Sequence, residues 1–232
     1  MSRATKLRSM WNSRVGGWHE HVQRSPAFDA IRAAVLDAAR AGASDRVVDL
    51  GAGSGFIALA LADSVDTVVA VDLAPRMLQV LDADAAERGL TNVSCTSADL
   101  AVYDLPPASV DVVVSCYALH HLADADKAAL IRRAKQWLRP GGRIVIADMM
   151  FGRGATAQDR LILKQKVVAL ARKGPAGVWR IAKNLVRFGL RVGSERPASP
   201  SFWTDTLTAA GFSNVEYRSI VGEAGLVVGF AQ

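Results

Sequence analysis

One stretch limits what this chain can fold into: Val47-Val48-Asp49-Leu50-Gly51-Ala52-Gly53-Ser54-Gly55-Phe56, an apolar run that stops at three glycines spaced two apart. A β-branched pair followed by Asp-Leu suits a strand covered on both faces. Glycines carry no Cβ, so the backbone can pass a ligand closely, and the pattern predicts a turn that opens a helix over residues 56–62. Amide donors at the start of such a helix favour a polar or anionic group in the gap. The competing reading is a tight strand-to-helix turn with no ligand. A second apolar run, Thr67 to Asp72, ends in a carboxylate 17 residues past Gly55. In a doubly wound sheet Asp72 then stands at the carboxyl edge of the neighbouring strand, where an acid can accept both hydroxyls of a ribose. The pair of runs points to a nucleoside-containing ligand.

Further elements follow in alternation. Ser25-Pro26 reads as the N-cap and first residue of a helix to about Ala41, stopped by Gly42. Pro75 opens a helix to Arg88 that Gly89 ends. Asn92 to Thr96 and Val110 to Cys116 read as strands, and Asp124 can cap a helix running to Leu138. Pro140-Gly141-Gly142 breaks the chain before a strand from Arg143 to Met149. A helix over Phe202 to Ala210 then precedes two strands, Asn214 to Ser219 and Gly225 to Phe230. Short links between alternating strands and helices argue for a parallel, doubly wound α/β sheet.

The dinucleotide fingerprint is G-x-G-x-x-G, whereas Gly55 lies only two past Gly53. Val48-Asp49-Leu50-Gly51-Ala52-Gly53-Ser54-Gly55 instead resembles the first motif of class I S-adenosylmethionine (SAM)-dependent methyltransferases. The resemblance continues through Val71-Asp72, Ala98-Asp99-Leu100, Val110-Asp111-Val112-Val113, Ala118-Leu119-His120-His121-Leu122 and Leu138-Arg139-Pro140-Gly141-Gly142-Arg143. It covers about residues 25–150, with a weaker tail to 232. It implies a single domain with a seven-stranded, mostly parallel sheet and a closing antiparallel hairpin, and SAM as cofactor. On the matching positions it places Asp49, Gly51, Ala52, Gly53, Gly55, Asp72, Leu73, Ala98, Asp99, Leu100 and Ser115 around that cofactor. Asp99 would accept from the adenine amine, and the Leu100 amide would serve a ring nitrogen. Residues 1–24 would form a lid, 25–150 the cofactor core, 151–198 a helical cap insert, and 199–232 the last helix and hairpin. The final run is similar to the ends of ubiquinone and menaquinone C-methyltransferases, but His120-His121 stands where that group usually has Arg-Asn.

Methyl transfer from a sulfonium is an in-line displacement, so holding the reactants in line is most of the task, with proton removal where the acceptor needs it. Tyr117, His120 and His121, just past the fourth strand, are the catalytic candidates, because a histidine titrates near neutrality; the alternative is that the histidines only hold the loop. Ser115-Cys116-Tyr117-Ala118 replaces the N/D-P-P-Y/F motif of adenine N-methyltransferases, which argues against that substrate. His19 and His21 lack a nearby third metal ligand, and no metal is expected. Cys95 and Cys116 form no CxxC pair and read as reduced thiols.

The net charge of +6 is concentrated: residues 153–196 hold eleven Lys or Arg against Asp159 and Glu195. Within them Arg180, Lys183, Arg187 and Arg191 share a helical face, and Val178, Ile181, Leu185, Phe188 and Val192 form an apolar stripe. Such a helix can cap the domain's own core, lie on an anionic membrane through residues 176–192, or grip a phosphate-bearing ligand. With no export signal or run of 18 apolar residues, a cytoplasmic protein is expected, with peripheral membrane contact left open. The acceptor is expected to be a small molecule or lipid. An RNA methyltransferase, an NAD(P)-dependent oxidoreductase and a SAM-binding scaffold without turnover remain as alternatives, and no oligomeric state is implied.

Overall fold

A computed structural model describes residues 2–151, 160, 161, 164, 167, 168, 174 and 195–232. The basic amphipathic helix expected over 176–192, and most of the cap insert, lie outside the described residues. Among the described residues the order is α1 (Arg3–Arg24), α2 (Pro26–Ala39), β1 (Arg46–Leu50), α3 (Ala58–Ala62), β2 (Thr67–Asp72), α4 (Pro75–Glu87), β3 (Val93–Ser97), β4 (Val110–Cys116), a 3-10 turn (Leu119–His121), α5 (Asp124–Trp137), β5 (Leu138–Met149), α6 (Pro200–Ala209), β6 (Ser213–Val221) and β7 (Ala224–Phe230).

The strands form one seven-stranded sheet in the order β3-β2-β1-β4-β5-β7-β6. The first five are parallel, and β7 runs antiparallel to both β5 and β6. Alternate residues of the central strands feed two cores. Val47, Val68, Val112 and Val145 face α2, α3 and α4 on one side. Val48, Val71, Val113 and Ile144 face α5 and α6 on the other, where Trp137 and Trp203 are fully buried. Burial on both faces explains why these strands read as unbroken apolar runs rather than alternating ones. Strand order reverses between β1 and β4, and in open α/β sheets that reversal opens a crevice at the carboxyl ends of the strands.

Several local expectations are corrected. No helix starts at Phe56: residues 51–57 form an extended turn and α3 begins at Ala58. Asp124 does not cap α5; it is the first helical residue, after Ala123, and its carboxylate takes the Lys127 ammonium at 2.8 Å. β5 does not wait for Arg143. It pairs with β4 from Leu138, and the register jump between Val110 and Val112 takes up the Pro140-Gly141-Gly142 excursion. Gly142 is needed there, since a Cβ would sit 2.8 Å from the Asp111 carbonyl oxygen. No helix among the described residues is long and apolar enough to cross a membrane.

Burial ranks the cost of substitutions. Leu81 is wholly buried between α4 and the sheet, so Leu81→Ala is expected to lower stability by about 2–5 kcal/mol in urea unfolding. Val102, 78% exposed, should change it by less than about 0.5 kcal/mol on the same substitution.

Candidate active site

The carboxyl ends of β1, β2 and β4 converge on a cleft of about 570 Å3 of atom-free space, open to solvent on one side. Its floor is the glycine turn. The Gly51 and Ala52 amides both donate to the Val71 carbonyl, at 2.7 and 3.0 Å, which binds the turn to the end of β2. Gly51 has φ +80, and a Cβ there would lie 2.2 Å from the Ala118 Cβ, so the β4 loop closes over a backbone that only glycine allows to come so near.

Two carboxylates line the cleft. Asp72 accepts the Gly53 amide at 2.9 Å on one oxygen and the Ala74 amide at 2.8 Å on the other. Burial raises its pKa, against the pull of these amides and that of Leu73. Asp49 is 1% exposed, and neither of its oxygens has a hydrogen-bond partner among the described residues. Burial first, and then the charge of Asp72, push its pKa up to about 7, and the Ala58 amide, near but outside hydrogen-bond geometry, opposes them. An unpaired buried carboxylate costs several kcal/mol, roughly, unless it is protonated or meets a cation.

The walls are aromatic. Trp11, Trp18, Phe28, Phe56, Tyr117 and His121 line the opening, and no Lys or Arg does among the described residues. Trp11 meets Trp18 and His121 edge-on, with ring centroids 5.4 and 5.5 Å apart, and Phe28 lies 5.1 Å from Tyr117. Tyr117 takes φ 53 at the end of β4, and burial keeps its phenol protonated far above neutrality. Burial does the same to the Cys116 thiol, which makes it a poor nucleophile.

His120 faces inward. Its Nδ1 lies 2.6 Å from one oxygen of buried Asp148, and its backbone amide donates to the other at 2.9 Å. Asp148 thus clamps both ring and backbone of the 3-10 turn, and the His120 ring packs 4.1 Å from that of His121. The Arg196 amide donates to the His120 carbonyl at 2.5 Å, and the Lys127 ammonium to the Arg196 carbonyl at 2.6 Å, so the return limb of the insert is tied to this turn.

Of the residues singled out from sequence, the cleft brings together Asp49, Gly51, Ala52, Gly53, Asp72, Tyr117 and His121. Gly55, Leu73, Ala98, Asp99, Leu100, Ser115 and His120 are not on its lining. Gly55 packs on Leu59 and Leu81. Asp99 accepts the Ala101 amide at 3.0 Å, and Ser115 donates to the Leu50 carbonyl at 2.7 Å within the sheet. Phe28, Phe56 and Met77 went unnoticed in the sequence as lining residues. Their signal was only that each follows or opens a segment meeting the glycine turn. Asp148 was missed because its partner lies 28 residues away on another element.

An open sheet of this order with a glycine turn and an acid at the end of β2 defines the class I methyltransferase architecture. A family model described as a methyltransferase domain matches residues 47–142. The chain is 32% identical over 114 residues, 49% of its length, to the uncharacterized methyltransferase YcgJ of Bacillus subtilis (strain 168), and 31% identical over 147 residues, 63% of its length, to an uncharacterized methyltransferase of Geobacillus thermodenitrificans (strain NG80-2). It spans 44% and 62% of those two relatives. The solved complex of DhpI with SAM and HEP shares the fold, with a TM-score of 0.66 at 20% identity over 95% of this chain and 94% of that one. Over residues 47–142 the chain is thus similar to methyltransferase domains, and its sheet shares the fold of solved methyltransferase structures.

The residues present suit SAM. Orphaned Asp49 can take a buried cationic group such as its ammonium, and Asp72 keeps acceptor capacity for a ribose diol. At Gly53 the floor carries no Cβ, and the nearest atom to one built there would be the Trp18 indole nitrogen, 3.7 Å away.

The raised pKa of Asp49 sets a pH dependence. Between its unfolded value and about 7 the folded state holds a proton that the unfolded chain has released, so this group lowers stability as pH rises through that window. Asp49→Asn removes the penalty. Without cofactor, the variant is expected to be more stable than the wild type at pH 8, by an amount on the order of a few kcal/mol, and this gain should shrink toward pH 4 in thermal unfolding.

Proposed function

We propose that the protein transfers a methyl group from SAM to a small or lipidic acceptor. The observation that carries this reading is the pair Asp49 and Asp72 at the strand reversal, one carboxylate unpartnered and buried, the other fixed at the tip of β2. Bound there, SAM would supply an electrophilic methyl on a sulfonium. Asp49 would hold its ammonium, Asp72 its ribose, and the glycine turn would shape the floor. Asp99 and the Leu100 amide would serve the adenine, and Leu73, Ala98 and Ser115 would complete that surround. The aromatic walls exclude water and favour a flat, apolar acceptor over a phosphate-bearing one. Tyr117, protonated at neutral pH, can donate a hydrogen bond to an acceptor oxygen, and His121 lines the same space as a candidate base. His120, held by Asp148, would position that turn rather than touch the acceptor.

Calorimetric titration with S-adenosylhomocysteine and with NADH tests the cofactor. Tight binding of the first and none of the second is expected, and the reverse would overturn the reading in favour of a nicotinamide oxidoreductase. Asp72→Ala should weaken S-adenosylhomocysteine by roughly 1.5–3 kcal/mol per charge-assisted bond lost, and unchanged affinity in a folded variant would place the ribose elsewhere.

The acceptor class turns on the insert. The apolar stripe expected from its sequence is more than phosphate binding requires, and Trp179 and Phe188 are few aromatics for stacking bases, so a small or lipidic acceptor is favoured over RNA. Leu185→Asp with Phe188→Asp leaves the four basic residues in place. Wild-type protein is expected to float with anionic liposomes and the double variant to lose most of that flotation, since each buried apolar side chain is worth roughly 1.5–3 kcal/mol. Absence of flotation in the wild type with retention of structured RNA would overturn the lipid arm.

A further inference from the structure

α1 spans 22 residues and carries Gly16-Gly17 near its middle. Glycine is a poor helix former, and a pair of them inside a helix usually answers to a close packing contact. None exists here: both are exposed, and a Cβ on either would meet nothing within 4 Å. An open groove lined by Asn12, Val15, Gly16, Arg76, Val80 and Asp84 separates this part of α1 from α4.

The two halves of α1 hold the body differently. The part after the glycines contains Val22, the one buried residue of the helix. It also places Trp18 edge-on to Phe28 at 5.5 Å, sets the Trp18 indole nitrogen 3.7 Å from where a Gly53 Cβ would be, and brings His19 Nδ1 3.2 Å from the Ser54 hydroxyl. The part before the glycines has no buried residue. It rests on two exposed hydrogen bonds, Arg8 to the Leu73 carbonyl and the Arg76 amide to the Asn12 side chain, each 3.1 Å, on a half-buried one from Arg3 to the His121 carbonyl, and on Trp11, laid edge-on to His121 and to Trp18 at the cleft. Arg3 and Lys6 sit at the positive end of the helix dipole, with no acid in the first turn to offset it.

From this asymmetry we infer that Gly16-Gly17 is a hinge that divides α1 into a fixed leaf, residues 18–24, and a swinging leaf, residues 3–15, whose opening admits ligands to the cleft. The inference rests on the cleft being the cofactor site. The fixed leaf keeps the glycine turn shielded while the swinging leaf lifts Trp11 from His121 and releases the Leu73 and Arg76 edge. Segments held by few buried contacts and exposed hydrogen bonds are those that open locally without global unfolding.

The test uses the full chain and the variant Gly16→Ala with Gly17→Ala, which stiffens the helix without a steric clash. In hydrogen exchange, wild-type amides of residues 7–15 should exchange at least tenfold faster than those of residues 19–24, and the variant should narrow that gap. In stopped-flow tryptophan fluorescence, S-adenosylhomocysteine should associate and dissociate at least fivefold more slowly in the variant, with Kd within about twofold and Tm not reduced. A single exchange rate along wild-type α1, or unchanged association in the variant, overturns the hinge. Exchange needs no ligand, so a protein that fails to bind S-adenosylhomocysteine but shows the two-rate pattern overturns the cofactor reading and leaves the hinge standing.

Discussion

The site is built around a charge that the protein does not neutralise for itself. Asp49 lies at the end of β1 under the glycine turn, buried and unpartnered, with a second carboxylate near enough to oppose its ionisation. Natural cores rarely leave such a group unsatisfied, because the loss is on the order of the marginal stability of a domain. Its neighbours share the consequence. The turn needs Gly51 because the Ala118 loop presses on it, and Asp72 must spend acceptor positions on the Gly53 and Ala74 amides to keep the turn in place. The floor is therefore preorganised and electrostatically unfinished, a combination that favours a cationic ligand and resists collapse onto itself.

The rest of the sheet supplies rigidity where the acceptor would lie. β5 carries Asp148 to the point where β4 ends, and that buried carboxylate holds His120 by ring and backbone. His121, next in the chain, is thereby presented to the cleft while its neighbour is locked. The same turn receives the limb that returns from the insert, through Arg196, and buried Lys127 secures that limb from α5.

Much of this was legible in the sequence, for physical reasons. Strands buried on both faces must be apolar throughout, so Val110 to Cys116 and Thr67 to Asp72 could be delimited to the residue. Pro75, Gly89 and Gly211 act locally, and the helices they bound stop within a residue or two of the expected ends. What depends on distant contacts was hidden. The jump in β5 follows from its register with β4, and the role of Asp124 was decided by Lys127 rather than by the helix end. Ser115 stands beside reactive-looking neighbours yet is spent on Leu50, and Asp148 looked like one more polar residue at a strand end. A lid over residues 1–24 was expected from the family resemblance, but the unequal grip of the two halves of α1 is a property of packing alone.

The central claim, that Asp49 waits for the cofactor's ammonium, is tested most directly by proton linkage. Calorimetry of S-adenosylhomocysteine binding at pH 7 in buffers of differing ionisation enthalpy counts the protons exchanged. With a free-state pKa of about 7, pairing with a cation should release about half a proton per site, and Asp49→Asn should abolish that release. Binding with no proton release, or the same release in the variant, would contradict the account.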